Sequence, residues 1–243
     1  MPIGVPKVPF LLPEDEDATW VDVYNVLYRK RVLFLGGEIS ADNANTIVAI
    51  IVYLSIEDKN LDQHIFLNSH GGSLPGGLAI YDIMQVVQPT IQTIAVGIVA
   101  SMASVILLGG TTSRRIALAN SRVMMHQPAT GFFMAPVTNL LKEVRLMREV
   151  REIVVSIYAQ RTTKPFGIIW ADLERDLYMS AREAKDYGIV DFVGVTKTNP
   201  NPIRGLKLKT SSDKNFIKVN DSEISFSLLK DPDLSLLKDS KLN

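Results

Sequence analysis

The chain contains no cysteine, which excludes disulfides, thiolate catalysis and cysteine-built zinc or iron–sulfur sites. Histidine is nearly as scarce. His64, His70 and His126 are the only three, so a multi-histidine metal site is not expected, and neither a metal nor another cofactor is called for. Net charge is absent as well: 26 basic residues balance 26 acidic ones, and no overall field draws the chain to nucleic acid or to an anionic membrane. There is no phosphate-binding loop of the G-x-x-x-x-G-K-[ST] type. The opening residues, MPIGVPKVPFLLPEDEDATW, carry early prolines and an acidic cluster. They form neither a basic-then-apolar signal peptide nor an arginine- and serine-rich transit peptide, so the chain is expected to work in the compartment where it is made.

Long uncharged runs are also rare. Residues 94–110, IAVGIVASMASVILLGG, reach only the lower end of membrane-spanning length. Gly97, Ala100, Ser101, Ala103 and Ser104 break the run, and no aromatic anchor flanks it, so no membrane insertion is expected. What is present is 47% hydrophobic residues in 243, enough for a sizeable soluble core.

Periodicity organises that core. Residues 20–30 have apolar groups at helical spacing, and residues 31–35 form a short branched strand before Gly36-Gly37. Residues 40–54 open on N-cap residues and continue as a buried helix. A strand at 65–67 ends at NSHGGS, an amphipathic helix covers 75–87, and a strand rich in Ile, Val and Thr covers 90–99. This alternation predicts a mostly parallel sheet covered by helices. Strands are expected at 113–118, 122–125 and 189–195, and a long amphipathic helix at 138–160 whose apolar stripe needs a partner surface. Ser180 and Glu183 are spaced as a capping box, with Gly188 suited to the helix end. Residues 196–243 turn to Lys, Ser, Asn, Asp and Pro and read as a polar, disordered extension; the pairs at 228–229 and 236–237 are scattered leucines rather than a docking motif.

In parallel α/β folds catalytic groups gather where strands give way to helices. Two such junctions stand out. At 99–104, VASMAS, a serine at a helix start would lie where unpaired amides and the dipole stabilise negative charge. The plainer reading is an N-cap serine, or small residues that let a helix pack closely. At 68–73, NSHGGS, a glycine pair can aim amides at an oxyanion, or simply make a tight turn. A serine nucleophile needs a base, and His126 sits at a strand end on a rigid support, whereas His64 reads as a possible surface residue and His70 as part of the glycine turn. The acid could be one of many carboxylates; spacing does not choose it.

The blocks NSHGGS, IYDIMQ, VASMAS, NSRVMMHQP and ERDLYMSAREAKDYGIVD, in this order, resemble the proteolytic subunits of the Clp protease family over residues 18–195. The opening MPIGVPKVPF with WVDVYNVLYRKR resembles their plastid-encoded form. The resemblance implies an α/β, crotonase-like (ClpP/crotonase) spiral of β-β-α units with residues 138–160 as a protruding handle, residues 1–17 as a flexible axial segment, and residues 196–243 beyond the usual end. It implies a serine endopeptidase in the chloroplast stroma with Ser101 as nucleophile, His126 as base and Asp176 as acid. The amides of Gly72 and Met102 correspond to the oxyanion hole, and His64, Phe66 and Val86 to the positions that dock a chaperone. Implied partners are sister subunits, some inactive, in stacked heptameric rings, an AAA+ unfoldase that uses the ATP, and unfolded polypeptides. Two positions depart from the family pattern: His70 replaces a proline and Ala103 a glycine, both beside the oxyanion donors. Two other readings are a catalytically silent ring subunit and a crotonase-type acyl-CoA enzyme.

Overall fold

A computed structural model describes residues 4–10, 19–129, 131, 134 and 136–194. The polar extension expected at 196–243 lies outside them, as do residues 1–3 and 11–18. The described chain divides into a small N-terminal unit reaching Val26 and a body, Leu27–Gly194. In the first, β1 (Lys7–Phe10) and β2 (Thr19–Asp22) pair antiparallel, with Lys7 opposite Asp22 and Phe10 opposite Thr19. The helix expected from residue 20 is therefore shortened to α1 (Val23–Arg29). Trp20 and Val21 have helix-like spacing, but both favour strand, and β1 gives their backbone a ladder partner.

The body runs β3 (Val32–Ile39), α2 (Ala41–Glu57), β4 (Gln63–Gly72), α3 (Leu74–Val86), β5 (Ile91–Ala100), α4 (Met102–Leu108), β6 (Arg115–Leu118), β7 (Arg122–Met125), α5 (Val137–Thr162), α6 (Phe166–Asp172), β8 (Leu177–Ser180), α7 (Ala181–Tyr187) and β9 (Phe192–Gly194). Among the described residues the sheet has seven strands; β3-β4-β5-β6-β9 are all parallel neighbours, β7 pairs parallel with β5, and β8 antiparallel with β7. Parallel pairing requires crossovers, and the helices supply them. Their starts are written locally. The Ser40 and Ser73 hydroxyls accept from the amides of Asn43 and Gly76, and Ser180 with Glu183 closes the expected capping box ahead of Gly188. Helix α6 and strand β8 were not anticipated, and β9 is shorter than the strand expected at 189–195.

Leu33, Ile65, Leu67, Ile80, Val99, Leu107 and Leu108 form the centre of one core. Every residue of α4 is buried, so the run 94–110 is strand, turn and core helix. No helix among the described residues is long and apolar enough to cross a membrane. The first half of α5 differs: Val137, Leu140, Leu141 and Val144 are exposed at the spacing of one helical stripe.

Strand β5 forks. Its lower part, Thr93 to Ala95, pairs with β6, while Ile98 to Ala100 pairs with β7. The change falls at Gly97, whose φ of 71° disfavours a side chain; a Cβ there would also come within 2.8 Å of Asn68 Oδ1. Asn68 Oδ1 accepts from the displaced amide of Ile98 at 3.2 Å. This bulge swings the end of β5 towards β7.

At the other edge of the sheet, Arg115 is buried and grips Asp191 three ways: Nη2 to Oδ1 at 2.6 Å, Nε to Oδ2 at 3.0 Å, and its amide to Oδ2 at 3.0 Å. Burial alone would raise the pKa of the Asp191 carboxyl, but the hydrogen bonds and charge of Arg115 outweigh it and hold the pKa below its ordinary value. Asp191→Asn is expected to cost about 2 kcal/mol, less than the 3–5 of a fully buried pair because the aspartate keeps some water. A depressed folded pKa stabilises above the unfolded carboxylate's pKa and is lost as pH falls through the folded value. Chemical denaturation should therefore separate wild type from variant at neutral pH, with the gap beginning to close near about pH 4 and closing only as pH falls through the lower folded value.

Candidate active site

The forked sheet brings three strand ends together. Ala100 pairs with Met124, and the Ser101 amide donates to the Met124 carbonyl at 3.0 Å, which fixes the serine beside the end of β7. Met125 lies opposite Leu177 in the antiparallel β7–β8 pair, so the next residue on one strand and the preceding one on the other, His126 and Asp176, are neighbours. Ser101, His126 and Asp176 thus meet although 25 and 50 residues separate them pairwise along the chain.

Their contacts form a relay. Asp176 Oδ1 lies 3.1 Å from His126 Nδ1; a carboxylate only accepts, so Nδ1 carries the proton. That leaves Nε2 as acceptor, and it lies 2.9 Å from Ser101 Oγ, which donates to it. The Asp176 side chain is 60% exposed and that of His126 28%, so water screens the carboxylate and its main effect is to fix tautomer and orientation.

Ser101 does not cap the helix it precedes. Its φ and ψ are 55° and −127°, and its side chain makes no capping hydrogen bond. For a non-glycine residue this conformation costs about 1–3 kcal/mol. The surroundings hold it there. The Ser104 hydroxyl donates to the Ser101 carbonyl at 2.6 Å, and with its one proton so used it accepts from Tyr158 at 2.6 Å. Tyr158 lies on α5 and is buried, which pushes its hydroxyl pKa up and keeps it a neutral donor. In the sequence Ser104 stands out only as a small residue breaking an apolar run and Tyr158 only within the stripe of the long helix; hydroxyls at helical positions carry no pattern that marks a supporting role.

Of the two oxyanion candidates, one follows the serine directly and the other is the second glycine of the pair that ends β4. Met102 is the first residue of α4, whose first-turn amides have no carbonyl within the helix to bond. Gly72 ends β4 with φ of 144°. Its neighbour Gly71 lies against the nucleophile: a Cβ there would stand 2.7 Å from Ser101 Cβ and 3.1 Å from Oγ. Rather than a turn, NSHGG is the last part of strand β4. Exposed His70 continues the strand, and Ala103 is buried in the core.

The remaining residues singled out lie away from this relay in the fold. His64 is half-buried rather than a free surface residue: its Nδ1 donates to Gln92 Oε1 at 2.8 Å, and burial lowers its pKa against the opposing pull of Gln92 and Asp62. Phe66, two residues on and on the same face of β4, stacks on Phe34 with centroids 5.2 Å apart. Val86 ends α3 and is 77% exposed. Among the described residues no group of three or more His, Asp or Glu is placed to hold a metal.

A family model described as Clp protease matches residues 14–197. The chain belongs to the Clp protease family. It is similar to proteins named "ATP-dependent Clp protease proteolytic subunit" from Sorghum bicolor and Zea mays, each 56% identical over 194 residues. One from Oryza sativa subsp. japonica is 55% identical over 194 residues. Each alignment covers 80% of this chain and 90% of the relative. Family membership supports the crotonase-like fold and implies peptidase activity. Against that, an acyl-CoA enzyme of the same broad fold has no support beyond architecture.

Proposed function

We propose that this Clp protease family chain is a serine-type endopeptidase subunit with Ser101, His126 and Asp176 as its triad. The observation that carries the reading is the unbroken relay from Asp176 Oδ1 through the imidazole to Ser101 Oγ. His126 Nε2 takes the hydroxyl proton as Oγ attacks a peptide carbonyl; the C–N bond then breaks as the same proton passes to the leaving amine, and water releases the acyl group by the reverse relay. The amides of Gly72 and Met102 stabilise the oxyanion. No step calls for a metal or a cofactor.

By its resemblance to the plastid-encoded form, the chain works in the chloroplast stroma. There it joins sister subunits in stacked heptameric rings that enclose a chamber, fed with unfolded polypeptide by an AAA+ unfoldase. The exposed stripe Val137, Leu140, Leu141 and Val144 suits a handle that packs on the opposite ring, and His64, Phe66 and Val86 belong to the docking face. The aligned relay favours an active subunit over a silent one.

A fluorophosphonate probe tests this on the intact complex. Phosphonylation is expected at Ser101, located by mass spectrometry, and lost in His126→Ala. Absence of labelling at Ser101 in a complex whose other serine subunits label would overturn the reading.

A further inference from the structure

Resting on the triad reading, we infer that Arg151 is a positioning residue that fixes the His126 segment and the Asp176 segment relative to one another. Arg151 sits on α5, and its guanidinium reaches both. Nη1 donates to Gln127 Oε1 at 2.9 Å, and Gln127 is the residue after the base. Nη2 donates to the Trp170 carbonyl at 2.8 Å, near the end of α6, and lies 3.5 Å from Glu174 Oε1, two residues before the acid. The guanidinium also stacks on the Trp170 ring at 3.9 Å. Beyond the end of the β7–β8 ladder, the Gln127 amide also donates to the Leu173 carbonyl at 2.8 Å, so Arg151 reinforces a join that the backbone begins.

The arrangement matters because the relay's own link between base and acid is exposed to water. A 3.1 Å contact to a carboxylate that is 60% exposed cannot hold its geometry by charge attraction alone. A planar fork with fixed donor directions, gripped by an aromatic face, can. The Nε of Arg151 is buried without a hydrogen-bond partner among the described residues. Leaving a buried donor unpaired costs stability, so this side chain is better explained by the two segments it joins than by stability alone.

The test measures the rate of fluorophosphonate labelling at Ser101 in the assembled complex, with this chain as wild type, Arg151→Met, Arg151→Lys, Asp176→Ala and Arg151→Met with Asp176→Ala. Arg151→Met is expected to slow labelling about 20-fold, short of the 10²-fold that a 1 Å misplacement can cause. Arg151→Lys, which keeps the charge but not the fork, should fall between, and it carries the test if the methionine variant does not assemble. In the Asp176→Ala background, where there is no acid left to align, Arg151→Met should cost less than about 3-fold, the sign of one shared pathway. Labelling of Arg151→Lys at the wild-type rate, or an equal fold-loss for Arg151→Met with and without Asp176, would overturn the inference. Ser101→Ala separates the two levels: if labelling of this chain persists there, the triad reading itself fails, whatever Arg151 does.

Discussion

Ser101→Ala is expected to lower this chain's own peptide hydrolysis by at least about 10⁴-fold, because removing the nucleophile of such a relay leaves only binding and the oxyanion amides. The size of the effect depends on whether another hydroxyl can take its place. The two serines on the flanking stretches of β4 and α4 are both engaged elsewhere. Ser104 is three residues away but points into the core, its oxygen between Tyr158 and the Ser101 carbonyl. Ser69 is buried and its Oγ accepts from the Gly71 amide at 3.1 Å. Both hydroxyls support the loop rather than face the imidazole. Alanine also keeps the backbone amide that donates to Met124, so assembly should be unchanged. Activity within 10-fold of wild type would remove Ser101 from the mechanism.

Those supporting contacts mark the boundary of what the sequence made legible. Helices α2, α3, α5 and α7 could be placed because each carries its own start signal or a long apolar stripe. Ser101 and His126 could be picked out as strand-end residues because hydroxyl and imidazole are chemically distinctive where only three histidines exist. Asp176 could not: it lies 50 residues from its partner, and the antiparallel pairing of β7 with β8 that brings it there rests on strands of four residues each. Short strands carry too little pattern to fix a register; only the family resemblance supplied the acid. The helix misread at residue 20 has the same origin, since β2 exists by pairing with β1. Gly97 was visible as a break in an apolar run, but its consequence, the forking of β5 between β6 and β7, is a property of three strands together.

Gly71→Ala is expected to lower kcat/KM by about 10²- to 10³-fold, the cost of moving a reacting group by around 1 Å. Two effects act at this residue. Its φ of 99° is one that L side chains rarely adopt, so alanine strains the end of β4. The added Cβ would also lie 2.9 Å from the Ala100 carbonyl and 2.7 Å from Ser101 Cβ, closer than either neighbour permits. The carbonyl belongs to β5 and cannot move without disturbing the sheet. The Ser101 side chain is the part that must give, against the backbone contacts to Met124 and Ser104 that hold the residue. Movement there lengthens the 2.9 Å contact to His126 while Asp176 and the imidazole stay in place. Labelling by a fluorophosphonate should fall in parallel with peptide turnover, since both need the same oxygen. Gly36→Ala provides the control: a Cβ at that position meets nothing within 4 Å, and its rates should stay within about 2-fold of wild type, as for surface changes that touch no special feature. If Gly71→Ala also retains wild-type rates, the close approach of the glycine strand to the serine is not what aims the nucleophile, and its placement must come from α4 and β7 alone.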